Sequence, residues 1–286
     1  MNFQIDQNNL DFMLLNVGYA EHFGDWNWKN ICSPFVRLHF VKKGTAKILY
    51  GPNSISLKEN HIYLTPSYIK HSYVCDGEFN VFYLHLYEKL ENNSSIFDSL
   101  SFPLEIESDA LLNKCIERLY TLNPNRELLK YDPTSYDNTP VLIKNISLNY
   151  GAFDALKMEN QAIIKLILSR FLHLAKAKTD IRDERILRSL TYIHSHIEQP
   201  ITLEEIADFV HLSKDHLIRL FKKHLGCTPI RYINQKKIEK AQLLILVENM
   251  SLKNIAYRLG FDNIPYFNRL FKQLTGETPS TYHKKN

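Results

Sequence analysis

No stretch of the 286-residue chain stays apolar over the roughly 18–20 positions that a membrane-spanning helix requires. The first ten residues, MNFQIDQNNL, lack both a basic flank and an apolar run, so the expectation is no secretory leader and a cytoplasmic protein. Cysteine is scarce. Cys32, Cys75, Cys115 and Cys227 stand apart with no Cys-x-x-Cys pair, which argues against a disulfide frame or a zinc knuckle. His22, His39, His61, His71 and His85 form no His-x-His pair, and the first glutamate after His71 is Glu78. Zinc and iron need several converging ligands, so neither a metal nor another cofactor is expected.

What is present is globular material: 44% hydrophobic, 23% charged and 12% aromatic residues, enough for two cores in 286 residues. Charge is shared unevenly. From residue 181 onward 17 Lys and Arg face 11 Asp and Glu, a net of +6, whereas the first 180 residues hold 18 against 20, a net of −2. A basic C-terminal third points to a polyanionic partner for that part.

Up to about residue 90 the pattern is that of short strands. Arg37-Leu38-His39-Phe40-Val41 sends Leu38 and Phe40 to one face and Arg37, His39 and Val41 to the other. Further short runs and turn residues suggest a sandwich or small barrel. A helix is predicted over Asp109 to Leu122, then a long connection over 123–153, then a strong helix over Ala155 to Ala177 with two apolar lines. So wide an apolar face predicts burial on two sides, including against a second copy of the chain, and hence a homodimer. Lys176 to Arg185 (KAKTDIRDER) reads as a charged hinge. The division expected is residues 1–178 and 179–286, an α+β multidomain chain with a β-barrel first and an all-α second part.

The second part contains one unit twice. Thr202-Leu203-x-x-Ile206-Ala207-x-x-Val210 recurs as Ser251-Leu252-x-x-Ile255-Ala256-x-x-Leu259. Arg219-Leu220-Phe221-Lys222 recurs as Arg269-Leu270-Phe271-Lys272, and Gly226-x-Thr228-Pro229 as Gly276-x-Thr278-Pro279. Each copy is a capped helix with an Ile-Ala pair, a short turn, and a second amphipathic helix capped by Ser213 or Asp262, which is helix-turn-helix grammar. Gly260 supplies the backbone freedom of a tight turn. Leu217, Leu220, Phe221 and Phe267, Leu270, Phe271 read as core, and Arg219, Lys222, Arg269 and Lys272 as outer face. Ile230 to Val247 reads as the helix joining the units.

Across roughly residues 186–283 the sequence resembles the AraC/XylS family of bacterial transcription regulators. The carrying segments are ITLEEIADFVHLSKDHLIRLFKKHLGCTPIRYI and NIAYRLGFDNIPYFNRLFKQLTGETPSTY. The first 90 residues look more loosely like the family's cupin-type sensing domain, through Lys43-Gly44, Leu57 to Pro66, and His71. Departures from the pattern are His283 after Tyr282, Lys237 where arginine is common, and Pro265 in place of a small polar residue. The resemblance implies two recognition helices entering successive major grooves of double-stranded DNA, RNA polymerase as a further partner if the protein activates, and no enzymatic reaction. Base-facing positions carried over are Asp215, His216, Ile218 and Arg219, then Ile264, Pro265, Asn268 and Arg269. Arginine can read guanine bidentately, asparagine suits adenine, and isoleucine packs on a thymine methyl. Lys214, Lys222, Lys223, Arg231 and Lys272 are assigned to phosphate.

In the first domain Trp26, Trp28, Arg37, His39, Tyr83 and His85 form a candidate lining for a small polar effector, a sugar being the natural guess because it joins apolar ring faces to hydroxyls. Such a ligand would act on the DNA-binding halves through an N-terminal arm, Met1 to about Tyr19, or the 155–177 helix. The alternatives are a regulator without ligand, controlled by abundance or a partner protein, and a cupin enzyme with a helical tail.

Overall fold

The structure, a computed structural model, describes residues 11–89, 95–137, 139–177, 183–247 and 250–285. The chain forms two compact units. The first comprises the described residues up to Lys89 together with Phe102–Ala175, and the second comprises those of Leu90–Ser101 together with those from Lys176 onward.

The first unit opens with strands β1 (Phe12–Phe23), β2 (Trp28–Ile31), β3 (Val36–Gly44), β4 (Ala46–Tyr50), β5 (Asn53–Leu57), β6 (His61–Thr65), β7 (His71–Val74) and β8 (Glu78–Glu88). The chain leaves this unit after Lys89, contributes α1 (Ile96–Ser99) and β9 (Leu100–Ser101) to the second, and returns as β10 (Glu105–Glu107). Helices α2 (Ala110–Leu122), α3 (Pro133–Tyr136), α4 (Thr139–Tyr150) and α5 (Asp154–Leu174) complete the first unit.

Two antiparallel sheets, ordered β1-β8-β3-β6-β10 and β2-β7-β4-β5, face each other. Ala20, Val41, Tyr63, Phe79 and Val81 of the larger sheet meet Ala46, Ile48, Leu57 and Tyr73 of the smaller in one buried cluster. The alternation read in β3 is realised: Val41 joins this inner cluster, while Phe40 stacks beside Phe82, which meets Tyr120 of α2 on the outer face. Both sheet faces are therefore covered, which is why β3 and β8 are apolar or buried at nearly every position. Gly18 lies opposite Tyr83, and a Cβ there would fall 2.1 Å from the Tyr83 hydroxyl. Only glycine lets that ring cross the strand.

Three expectations need correction. The N-terminal arm does not extend to Tyr19, because from Phe12 the chain is a strand paired with β8; Met1 to Leu10 lie outside the described residues. The connection over 123–153 contains α4, which turns inward Asn145 and Asn149 as well as the buried Leu142. Asn145 donates to the Asn16 side chain, and Asn149 to the carbonyl of Leu14, at a bulge in β1. Pro140 sits in the first turn of α4, where its missing N–H costs little. Finally, Ser95–Ser101, assigned to the first domain, belongs to the second unit. There β9 pairs with β11 (Lys176–Ala177), and Asp98 forms an ion pair with the partly buried Lys236. The predicted long helix accordingly ends at Leu174, and residues 178–182 of the charged hinge lie outside the described residues.

The rest of the second unit is helical: α6 (Glu184–Ser195), α7 (Leu203–Phe209), α8 (Lys214–Leu225), α9 (Pro229–Val247), α10 (Leu252–Arg258), α11 (Ile264–Thr275) and α12 (Pro279–Lys285). Local chemistry sets nearly every boundary. Thr202 and Glu205 form a capping box on α7, and Ser213, Ser251 and Asn263 cap α8, α10 and α11. The α11 cap is thus Asn263 and not Asp262. The duplicated Gly-x-Thr-Pro has a matching explanation. Gly226 and Gly276 end α8 and α11 in the left-handed conformation, Thr228 and Thr278 accept backbone N–H bonds from Arg231 and Thr281, and proline occupies the first helical position. Ile206, Ala207, Leu217, Leu220 and Phe221 are buried in the first repeat, and Ile255, Ala256, Phe267, Leu270 and Phe271 in the second.

Candidate nucleic-acid interface and a small polar cavity

With their apolar stripes buried, α8 and α11 present the opposite face to solvent. Asp215, Arg219, Lys222 and Lys223 of α8 are exposed, and His216 and Ile218 are half-buried beside them. On α11 Pro265, Asn268, Arg269 and Lys272 are exposed and Ile264 is half-buried. The structure therefore leaves all eight predicted base-facing positions at the surface. Among the described residues, Arg219, Lys222, Lys223, Arg269 and Lys272 enter no ion pair. Arg231, also exposed, begins α9. Lys214 differs from the other phosphate candidates: its ammonium lies 2.5 Å from Glu204 on α7. Exposed cations without protein partners keep their charge available to a polyanion, whereas Lys214 must first give up Glu204.

The second unit also holds a tie that the sequence reading missed. Lys236 of α9 is held between Asp98 and Glu239, and Asp98 also approaches His194, whose ring nitrogen meets the Tyr232 hydroxyl at 2.8 Å. Burial alone would raise the Asp98 carboxyl, but Lys236 and His194 outweigh it and hold it below the usual value. Burial pulls His194 down to about 4, so it stays neutral.

In the first unit, Trp26, Arg37, His39, Tyr83 and His85 converge between the sheets together with His22, Tyr73, Tyr131 and Tyr136. Trp28 does not join them. It lies on β2 opposite Tyr73 and packs partly buried against the cluster. The register explains the convergence, since Arg37 pairs with His85 and His39 with Tyr83 across β3 and β8. Arg37 is 1% exposed. Its guanidinium donates to His85 Nε2 (3.1 Å), the Tyr136 hydroxyl (2.8 Å), Ser33 Oγ (2.5 Å) and Asp137 Oδ2 (3.0 Å), and lies over the Phe35 ring. Burial, then the Arg37 charge, keep His39 and His85 neutral far below the ordinary histidine range. Burial pushes the Asp137 carboxyl up against the opposing pull of Arg37. Three inward nitrogens, Arg37 Nε, His39 Nδ1 and His85 Nδ1, have no partner. The free space they border is about 20 Å³, room for about one water, whereas ligand pockets run to roughly 300 Å³ or more. Tyr136, a hundred residues downstream, is part of its lining, and Asp137 beside it pairs with Arg37. Among the described residues no group of three His, Cys, Asp or Glu side chains could hold a metal, and no helix is long and apolar enough to cross a membrane.

Duplicated helix-turn-helix units with cationic outer faces define a DNA-binding module. Residues 206–285 match the family described as a helix-turn-helix domain. The chain is 36% identical over 106 residues to the uncharacterized HTH-type transcriptional regulator YdeC of Bacillus subtilis, covering 37% of this chain and 36% of that protein. It is 26% identical over 255 residues to the HTH-type transcriptional regulator YfiF of the same organism, covering 87% and 76%. A solved Chromobacterium violaceum regulator with an AraC-type DNA-binding domain aligns at 25% identity and a TM-score of 0.34, over 36% of this chain and 91% of that one. Residues 206–285 of the second unit thus match a helix-turn-helix domain, and YdeC and YfiF are both named as transcriptional regulators. The chain spans about a third of the length of YdeC.

Proposed function

We propose that the protein is a sequence-specific regulator of transcription that inserts α8 and α11 into successive major grooves of double-stranded DNA. One observation carries this reading: Arg219 and Arg269 occupy the same position in the two repeats, and both are exposed without an ion-pair partner among the described residues. In this reading Asp215, His216, Ile218, Arg219, Ile264, Pro265, Asn268 and Arg269 face bases, and Lys222, Lys223, Arg231, Lys272 and, once released from Glu204, Lys214 face phosphates. Duplexes selected from a random pool by the full chain test it. Specific binding should exceed binding to scrambled duplex by a factor on the order of 10³ and fall steeply with salt. Equal retention of every sequence would refute it.

A small polar effector, with sugars as the first class to try, is the second reading, supported by the three unpartnered nitrogens around Arg37. The free space is small, so such a ligand needs lining side chains such as Tyr136 to move away from the guanidinium. Both tryptophans lie in this unit, so fluorescence titration of the full chain with monosaccharides reads it directly; absence of any response favours control by abundance or a partner protein. The β-rich unit then serves as a cupin-like sensor, with a homodimer formed through α5, in the cytoplasm, and contact with RNA polymerase if the protein activates.

A further inference from the structure

Three stretches of the second unit meet at a joint that the DNA-reading face does not include. Glu198, Gln199 and Pro200 lead from α6 into the first helix-turn-helix. Lys237 and Lys240 belong to α9, the helix between the two repeats. Arg258, Leu259 and Gly260 form the end of α10 and the turn of the second helix-turn-helix. The Lys237 ammonium, on a residue 4% exposed, donates to the carbonyls of both Gln199 (2.7 Å) and Leu259 (2.6 Å) and lies over the Phe261 ring. The Leu259 carbonyl is one of those left unmatched at a helix C-terminus, so the lysine completes α10 while reaching across to the entry of α7. Gly260 has φ +70°, and a Cβ there would stand 2.5 Å from the Pro200 nitrogen and 2.7 Å from the Gln199 carbonyl carbon. The turn of one repeat therefore sits directly on the backbone leading into the other. At the rim Glu198 accepts from Arg258 (2.8 Å) and pairs with Lys240 (3.2 Å).

We infer that Lys237 is a positioning residue that fixes the separation of the two recognition helices, and so makes the protein selective for the spacing between its two half-sites. This rests on the DNA-binding reading above. Half-sites on one DNA face lie about one helical turn apart. Two modules on a loose joint engage a range of spacings but lose effective concentration at the second site, whereas a rigid joint binds one spacing tightly and rejects the rest. A buried amine is costly to keep unless its hydrogen bonds are made, and here they are made only when both repeats are in place. That condition couples the repeats.

The probes are duplexes enriched from a random pool by the wild-type full chain, the same duplexes with about two base pairs inserted between the half-sites, and duplexes with one half-site scrambled. For the wild type the insertion should weaken binding about tenfold or more. Lys237→Met should bind the original duplex about tenfold more weakly, bind the inserted duplex nearly as well as the original, and match the wild type on the scrambled duplex. Lys237→Arg should restore the insertion penalty, because a guanidinium can serve both carbonyls. Glu198→Gln removes only the rim ion pairs and carries the same test, with a smaller drop in the penalty, should Lys237→Met lose its helical circular dichroism. An unchanged insertion penalty in a folded Lys237→Met, or in Glu198→Gln if Lys237→Met does not fold, overturns the role of the joint while leaving DNA binding intact. Failure of the wild type to enrich any sequence overturns the DNA reading and the joint together.

Discussion

Acid should unlock the first unit, and His71 shows how much one ring contributes. Its Nδ1 lies 2.7 Å from the Ile69 carbonyl, which can only accept, so Nδ1 carries the proton and Nε2 accepts from the Tyr73 hydroxyl at 2.9 Å. A proton on Nε2 would face that hydroxyl, which lies deep in the inner cluster with its ring stacked on Trp26. Burial first, and the Arg37 charge second, pull His71 down from 6.5 to about 4. The unfolded chain therefore binds this proton more readily than the folded one, so the contribution is complete above about pH 6.5 and is lost as pH falls towards 4. A gap of about 2.5 pH units makes the full loss about 3 kcal/mol, of which about 2 kcal/mol is gone at pH 5. His22, His39 and His85 are shifted in the same direction, so the unit as a whole loses more than this. Denaturant unfolding followed by tryptophan fluorescence isolates the first unit, because Trp26 and Trp28 are the only tryptophans in the chain. His71→Gln should start less stable at pH 7.5 and show a pH 7.5-to-5 loss smaller than the wild type's by about 2 kcal/mol. A wild type whose stability is flat over that window, or a variant that keeps the full slope, would refute the reasoning.

Arg269→Ala should cost roughly 1–3 kcal/mol on the selected duplex and relax preference at a single base pair, read by competition with single-site variants; an equal loss on all sequences would move Arg269 to the phosphate set. Lys272→Ala should weaken binding to every duplex alike and lower the salt slope by about 1, and a sequence-dependent loss would contradict its assignment. Asp98→Ala leaves the partly buried Lys236 with Glu239 alone and should destabilise the second unit by about 3 kcal/mol in helical circular dichroism melts, while Asp98→Leu with Lys236→Met should recover most of that loss. An unchanged melt for Asp98→Ala would mean that the Ser95–Ser101 segment contributes nothing to that unit.

The elements that the sequence disclosed are those whose cause is local. A capping side chain acts over two or three residues and an apolar stripe repeats every three or four, so α7, α8, α10 and α11 were legible, as were the core residues under them. The one slip there, Asp262 for Asn263, moves a cap by a single residue. α4 was hidden because its inward face sets Asn145 and Asn149 beside Leu142, and the worth of the two asparagines depends on a bulge in β1 well over a hundred residues away. Strand alternation placed Arg37, His39, Tyr83 and His85 on inner faces, yet nothing near them in the chain announced that Tyr136 and Asp137 would return to meet Arg37.

From the residue string alone came the two-part chain, the β-then-α order, the duplicated helix-turn-helix and the outward positions of Arg219 and Arg269. These follow from periodicity, capping and steric freedom between near neighbours. Tertiary structure alone decided that Ser95–Ser101 joins the second unit, that Arg37 is met by Asp137, and that Lys237 holds both repeats through Gln199 and Leu259. Each is a buried charge whose partner lies far along the chain, and desolvation makes such a pairing obligatory without leaving any local pattern that names the partner.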